Sequence, residues 1–369
     1  MKLFEYMGKE LLAGYEVPVP KGRAISEPQE AADIAEMLGP VVIKSQVLSG
    51  KRGKAGGIKF AGTREDAVRA AGDLLGSRIN GLPVEKVLVE QKLNIEREYY
   101  LAVAVDGSAK KPVIIASSKG GMDIDDVPDR YIIKMHLDIE QGLPLDTAMD
   151  ICQKLGVEEH CKSEMTRLMG NVYKVFRAKE AELVEINPLV FNGENIIAAD
   201  AKVVIDDEAL FRQKEIPYVE ERTPVEKQAH ELGLSYVELD GNIAIMANGA
   251  GITMATLDTI QHYGGSPANF LDAGGGTGME ATARALEILL ATNPRAIFIN
   301  IFGGITRCDD VANAFVKVKE SKPIPVPVVI RLVGTNQEEG QGILRNNGID
   351  VYESMEEAVV TVVELASGN

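Results

Sequence analysis

Lys44 interrupts an apolar run, Val41-Val-Ile-Lys-Ser-Gln-Val47. An ammonium in the core of a strand is costly unless it is paired or meets a ligand. A few residues on, Lys51, Arg52 and Lys54 lie among Gly50, Gly53, Gly56 and Gly57. Glycines let a backbone approach a polyphosphate closely, and cations neutralise it. The spacing is not that of a P-loop, so that motif lends nothing. Read alone, the loop is equally a phosphate cradle and an exposed basic hairpin tip.

A second set lies in Leu183-Val-Glu-Ile-Asn-Pro-Leu-Val190 and the stretch after it. Side chains alternate along a strand, so Glu185 and Asn187 share a face. A two-residue turn at Asn192-Gly193 sets Glu185 opposite Asp200, with Asn187 on the diagonal. A four-residue loop over 192–195 sets Asn187 itself opposite Asp200. Both registers keep the three on one face. Amide and carboxylate oxygens converging there suit Mg²⁺, which takes oxygen ligands and leaves several positions to water and phosphate. The competing reading is a solvated edge hairpin; Glu185, set among Leu183, Val184 and Ile186, favours the site. Glu90 closes the apolar strand Val87–Glu90, and Glu98 opens the next. Between them Gln91, Lys92 and Leu93 read as a chain joining two lobes, where an adenine and its ribose can lie.

The second half offers anion sites of another kind. Asn248-Gly-Ala-Gly251, Asp272-Ala-Gly-Gly-Gly-Thr277, Gly303-Gly-Ile-Thr306 and Gly334-Thr-Asn336 each follow an apolar strand and precede a helical pattern. In a parallel α/β sheet, ligands bind beyond the carboxyl ends of the strands, and a helix start can hold a carboxylate or phosphoryl group. Some of these glycines serve only as tight turns. No histidine among His136, His160, His230 and His262 falls in such a loop. Cys308 reads as a small buried residue, with Arg307 and Asp309 placed to pair with each other. The chain can hold nucleotide and anion but shows no covalent carrier, which points to a partner subunit.

Elements that position these residues follow from the pattern. An amphipathic opening helix precedes the proline-locked stretch Glu16–Gly22. Then strands, hairpins and two helices run to a predicted hairpin near 185–200, with helices over about 144–180. A polar, proline-containing stretch separates this part from a strand, glycine loop and helix rhythm that begins near Asp240. Apolar strands alternating with helices imply a parallel sheet covered on both faces. Two domains are expected, 1–230 and 238–369, in an α/β chain.

Composition bounds the function. The 369 residues carry a formal charge of −16, with 39 Lys and Arg against 55 Asp and Glu. That balance speaks against nucleic acid or an anionic membrane surface as partner. The three cysteines, Cys152, Cys161 and Cys308, make no disulfide framework, and a reducing cytoplasm is expected. The opening helix mixes Lys and Glu with apolar residues, unlike a signal peptide. No apolar run approaches the roughly 18 residues of a membrane span.

Together, Phe4–Gly22, Val41–Phe60, Leu183–Val190 with Ala198-Ala-Asp-Ala-Lys202, Glu238–Asp258, Gly264–Gly276 and Asn300–Ala312 resemble the β subunits of succinyl-CoA synthetase (succinate–CoA ligase, nucleoside-diphosphate-forming). The resemblance runs nearly end to end. It implies an N-terminal ATP-grasp domain followed by a flavodoxin-like CoA-ligase domain. It also implies an α partner, in αβ or α2β2 assembly, that carries the phosphorylated histidine and binds CoA. By motif, Lys44, Lys51, Arg52, Gly53, Glu90, Leu93 and Glu98 would contact the nucleotide, and Asn187 and Asp200 would hold Mg²⁺. Glu185 would face the partner's histidine, with Lys44 acting beside it on the phosphoryl group. Asn248 with Gly304, Ile305 and Thr306 would bind the carboxylate.

The implied reaction interconverts succinyl-CoA, nucleoside diphosphate and phosphate with succinate, CoA and nucleoside triphosphate, a step of the tricarboxylic acid cycle. ADP is favoured over GDP, with GTP and GDP the alternative pair. Rival readings are a ligase for malate or another carboxylate, a self-contained carboxylate–amine ligase, and a scaffolding subunit. Two departures from the family pattern stand out. Lys51 replaces the first of two paired glycines, exchanging backbone approach for a cation, and Lys119 stands where an acidic residue is usual.

Overall fold

A computed structural model describes residues 1–220, 222–274 and 279–368. The chain divides into two compact units, Met1–Glu221 and Arg222–Asn369. The predicted loop Asp272–Thr277 lies partly outside the described residues, from position 275 onward.

Among its described residues the first unit holds two large antiparallel sheets and a two-stranded ribbon, Arg78–Ile79 with Leu82–Pro83. The smaller runs Gly22–Ile25, Val87–Gln91, Val41–Ser45, Ile58–Ala61 in spatial order. Helices Glu30–Leu38 and Arg64–Leu74 cover one face, packing Ala31, Ile34, Ala67 and Ala71 on Val41, Ile43, Val87 and Val89. Thr63 starts the second of these helices by accepting from the Asp66 N–H. Alternation then sends Lys44 and Glu90 to the opposite face, close on the diagonal, because Lys44 pairs with Leu88 and Val42 with Glu90. The strand Gly22–Ile25 has no apolar alternation of its own and went unrecognised in the sequence; pairing with Val87–Gln91 creates it.

The larger sheet orders Ile196–Ala198, Ala181–Phe191, Arg97–Asp106, Lys111–Ser117 and Ile132–His136, with Lys202–Ile205 also paired to Ala181–Phe191. Its core takes Leu101, Val103, Val184 and Ile186 from the strands and Ile151, Leu168, Met169 and Val172 from the helices Leu145–Leu155 and Lys162–Ala178. The opening helix, Glu5–Gly14, seats here as well. Gly8 permits the close approach: a Cβ there would meet Ala201 and Val203 side chains at 3.3 Å.

In the second unit five parallel strands, Ile243–Ala247, Asn269–Asp272, Ala296–Gly303, Val328–Gly334 and Val351–Tyr352, lie in the order 2-1-3-4-5, the flavodoxin-like arrangement. The parallel sheet expected from the sequence is present, and Ser235–Glu238, a strand the sequence did not announce, adds an antiparallel edge beside Asn269–Asp272. Helix Pro224–Glu231 opens with a full capping box between Thr223 and Glu226, and its Ala229 joins this unit's core. Apolar clusters fill both faces of the sheet. Among the described residues, no helix is long and apolar enough to cross a membrane.

Candidate functional site

Six charged side chains from five segments meet at the face of the smaller sheet opposite its two helices. Lys44 Nζ lies 2.9 Å from Glu5 Oε1 and 2.6 Å from Glu90 Oε1, and donates to the Ala199 carbonyl at 2.6 Å. Lys9 Nζ sits 2.9 Å from Glu5 and donates to both Glu90 oxygens at 2.8 and 2.6 Å, and to Ala199 O at 2.8 Å. Arg52 Nη2 reaches Glu5 at 2.8 Å and both Asp200 oxygens at 3.2 Å, while its Nη1 donates to Ser45 O at 2.8 Å. Three carboxylates thus balance three cations. Burial alone would lower the Lys44 pKa, but Glu5, Glu90 and Asp200 outweigh it and hold that pKa above its ordinary value. Burial opposes the charge on Glu5 too, yet Lys44, Lys9 and Arg52 keep its pKa well below the usual carboxylate range. For Asp200, burial and the Glu5 charge prevail over Arg52, Lys44 and Lys9, and its pKa is raised.

The loop that carries Arg52 is folded back by its glycine end. Gly57 N donates to Arg52 O and Ser45 N to Gly57 O, both at 2.8 Å, and a Cβ on Gly57 would collide with the Ser45 hydroxyl. Lys51 takes a left-handed conformation, φ +59°, and its ammonium pairs with Asp123 at 3.0 Å. Lys119, the other departure, places its ammonium over the Tyr131 ring, 5.3 Å from the centroid.

The predicted hairpin has the four-residue loop. Phe191 pairs with Ile196, Leu189 with Ala198 and Glu185 with Lys202. Asn192 sets this register, since its Oδ1 accepts from the N–H groups of Glu194 and Asn195 at 3.0 and 2.8 Å. The register that would place Glu185 opposite Asp200 is overturned. At Asn187 and Pro188 the ladder is interrupted, and the pairing with Arg97–Asp106 shifts between Ile186 and Leu189. Asn187 Oδ1 there accepts from Gly121 N, and its Nδ2 donates to Met122 O, both at 2.8 Å. Glu185 accepts from the Tyr100 hydroxyl at 3.1 Å. Burial and that carboxylate raise the Tyr100 pKa.

Glu98 completes the ring of contacts. Its carbonyl accepts from Gly120 N at 3.1 Å, and its carboxylate lies where a Cβ on Gly121 would have to go. The segment Gly120–Asp123 therefore touches Glu98, Asn187 and Lys51, while the neighbouring Arg52 holds Asp200. Leu93 is half-buried in the stretch between the strands Val87–Gln91 and Arg97–Asp106. Gly53 occupies the turn, accepting from Gly56 N at 3.2 Å. Glu5 and Lys9 escaped the sequence reading, as an i, i+4 Glu–Lys pair ordinarily marks a solvated helix face. The available signal was their spacing with Gly8 and Leu12, which puts both on the buried stripe.

The second unit gathers Asn248 and Gly303–Thr306 at the ends of strands one and three, the switch point of a 2-1-3-4-5 sheet. Asn248 exchanges two hydrogen bonds with the Phe302 backbone, and Asp272 Oδ1 accepts from Gly249 and Gly274 N–H groups. Gly303 O accepts from Thr335 N at 2.8 Å, and Thr335 Oγ1 donates to Gly304 O at 2.9 Å, which ties the turn to the next strand end. Ile305 is 83% exposed and Thr306 only 2%. Cys308 is buried, burial raises its thiol pKa, and Arg307 pairs with Asp309 at 2.7 Å. Cys308 is thus a packed residue rather than a nucleophile.

Donor chemistry around Asn187 and Asp200 fits a hard divalent cation. Each offers oxygen, and a carboxylate has lone pairs beyond those that Arg52 and the Ala201 N–H occupy. Among the described residues no cluster of three or more His, Cys, Asp or Glu could hold a metal, so an ion here would draw its remaining ligands from water and phosphate.

Comparison with known proteins agrees in both halves. A family model described as an ATP-grasp domain matches residues 2–191, and one described as CoA-ligase matches residues 246–364. Subunit β of succinate–CoA ligase (ADP-forming) from Methanothermobacter thermautotrophicus is 42% identical over 372 residues, 99% of each chain. The same-named subunit of Rubrobacter xylanophilus is 43% identical over 378 residues, again 99% of each. A solved ATP citrate lyase from Methanothrix soehngenii, in complex with citrate and coenzyme A, superposes with a TM-score of 0.70 at 22% identity. It spans 100% of this chain and 99% of its own, a likeness of fold.

Proposed function

This chain belongs to the family of ADP-forming succinate–CoA ligase β subunits, and on that premise we propose that it supplies the nucleotide and carboxylate sites of a two-subunit ligase. The partner α subunit would bring CoA and the phosphorylated histidine, in αβ or α2β2 assembly in the cytoplasm. The observation that carries the reading is the pair of cations Lys44, buried, and Arg52, half-buried. Lys44 stands on the face of the small sheet opposite its two helices and Arg52 in the adjoining glycine loop, with carboxylates as their charged partners.

The chemistry divides into three exchanges. Phosphate displaces CoA from the acyl-CoA, giving an acyl phosphate and free thiol. The partner's histidine takes the phosphoryl group and releases the carboxylate. The nucleoside diphosphate then takes it from the histidine and leaves as triphosphate. Such transfers need positioning and charge neutralisation more than covalent help from the protein.

Lys44 and Arg52 would neutralise phosphate oxygens, and Gly53 would let the backbone approach. Glu90, Leu93 and Glu98 would hold the nucleoside. Lys51, tied to Asp123, would add charge at the loop tip. Asn187 and Asp200 would hold Mg²⁺, which supplies further neutralisation and fixes phosphate geometry when bound. Glu185, steadied by Tyr100, would accept a hydrogen bond from the imidazole of the incoming histidine. In the second unit the Gly304–Thr306 backbone and Asn248 would bind the carboxylate. Succinate is the proposed substrate, with malate or a related dicarboxylate as the alternative that substrate profiling separates.

The test is co-purification with a candidate α chain, followed by CoA- and carboxylate-dependent nucleotide turnover. Asp200→Ala should abolish phosphorylation of the partner's histidine by Mg-ATP. Retained labelling would remove the metal assignment, and robust ligation by the isolated chain would refute the divided site.

A further inference from the structure

We infer that Glu5 is an internal counter-anion that positions Lys44 and Arg52 and competes with nucleotide phosphate for them. The inference rests on the nucleotide-site reading above and deepens it. Glu5 is 4% exposed and within 2.9 Å of Lys9 and Lys44 and 2.8 Å of Arg52. No other carboxylate of the cluster pairs with all three cations.

Charge decides where a phosphate can enter. Lys44 donates to Glu5 and to the Ala199 carbonyl, and the Glu90 carboxylate lies 2.6 Å away as its second ion-pair partner. A phosphate oxygen approaching Lys44 therefore meets two carboxylates already at the ammonium and contends with their charge. Glu90 and Ala199 O are also held by Lys9 but are not bonded to Arg52. Glu5 alone joins Lys44 to Arg52, which is the bridge a phosphate oxygen bound to both would make. The carboxylate therefore occupies the ligand's electrostatic place while keeping both cations aimed at it.

Glu5 cannot withdraw far. Its helix is seated on Ala201 and Val203 through Gly8, and Tyr6 N is held by Gln46 Oε1 at 3.0 Å. A bound nucleotide thus always feels this negative charge at close range in a weakly screened interior. The consequence is a site that is neutral when empty, with moderated affinity for nucleotide, so that product leaves.

The experiment is calorimetric titration of Mg-ADP into the full-length chain and its Glu5→Gln variant. Removal of the charge with shape retained should lower Kd about tenfold and slow nucleotide release. A merely structural role predicts the opposite direction, since a disturbed pocket binds less well. Unchanged or weakened binding by a folded Glu5→Gln protein, with normal binding by the unaltered chain, overturns this inference alone. Failure of the unaltered chain to bind Mg-ADP overturns the nucleotide site and this inference together. Glu5→Asp, which keeps the charge but draws it back by one methylene, serves if Glu5→Gln does not fold. It should tighten binding by a smaller factor, and unchanged or weaker binding there counts equally against the proposal.

Discussion

The Asn248 side chain acts as a peptide group toward Phe302: its Nδ2 donates to Phe302 O and its Oδ1 accepts from Phe302 N, each at 2.9 Å. It thereby extends the parallel ladder one step past Ala247 and Asn300. The amide fixes the backbone that leads into Gly303 and Gly304. Asn248→Asp keeps the acceptor and loses the donor, and sets a negative charge where a carboxylate substrate would bind. The expected result is an increase of about tenfold or more in carboxylate KM, with nucleotide KM unchanged. Steady-state kinetics on the assembled ligase measures both. Equal change in the two constants would mean that Asn248 has no place in the carboxylate site.

Adjacent glycines in the same turn should respond differently to one methyl group. A Cβ on Gly303 would meet Thr306 O at 2.8 Å, Cys308 Sγ at 3.0 Å and Thr335 N at 3.1 Å, whereas one on Gly304 meets nothing within 4 Å. Two of the three obstacles are backbone atoms that cannot rotate aside. Gly303→Ala should cost about 1–3 kcal/mol by overpacking, seen as a lower denaturation midpoint. Gly304→Ala should unfold like the unaltered chain, so a loss of carboxylate-dependent activity in it would report on the site itself. A normal midpoint for Gly303→Ala would show the turn to be more yielding than its contacts indicate.

What the sequence made readable was whatever local chemistry declares. Alternating strand and helix patterns announced the second unit, and the anomaly of Lys44 in an apolar strand announced a partnered charge. The loop length after Phe191 stayed open because it turns on which backbone groups Asn192 captures, and both solutions suit Asn192-Gly193. Glu5 and Lys9 were hidden for a different reason. Their burial depends on Gly8 meeting the Ala201–Val203 segment, about two hundred residues away, and no local pattern encodes that meeting. The antiparallel edge Ser235–Glu238 was missed similarly, since only its Tyr236 is buried.

Lys51 offers a reading of one departure from the family pattern. Its left-handed backbone, φ +59°, is one that glycine adopts at less cost. Its ammonium reaches Asp123, whose pKa falls below its ordinary value chiefly because of the Lys51 hydrogen bond. Both groups are exposed enough for salt to screen them. Lys51→Gly should therefore fold with an unchanged or slightly raised thermal midpoint. It should also raise nucleotide KM about threefold, since Asp123 would then stand uncompensated beside the proposed phosphate site. The increase should shrink in high salt. A KM indifferent to both substitution and salt would separate Lys51 from the nucleotide.

Acid sensitivity of the first unit should run partly through Glu180. Its carboxylate takes hydrogen bonds from Arg212 Nε at 3.0 and 2.9 Å and from Nη2 at 2.6 Å, and another from Gln213 Nε2 at 3.0 Å. Arg212 first, then Gln213, holds its pKa below the ordinary 4.5. A carboxylate with a depressed folded pKa adds stability that is complete above its unfolded value. That stability disappears as pH falls through the folded one. Arg212→Gln should return the Glu180 titration, followed by carboxyl NMR, toward its ordinary range. Between about pH 5 and pH 3 the unaltered chain should lose more stability than the variant does. The difference should be small at neutral pH and diminish with added salt, because the pair faces solvent. Identical Glu180 titrations in the two proteins would assign the depressed pKa to other groups.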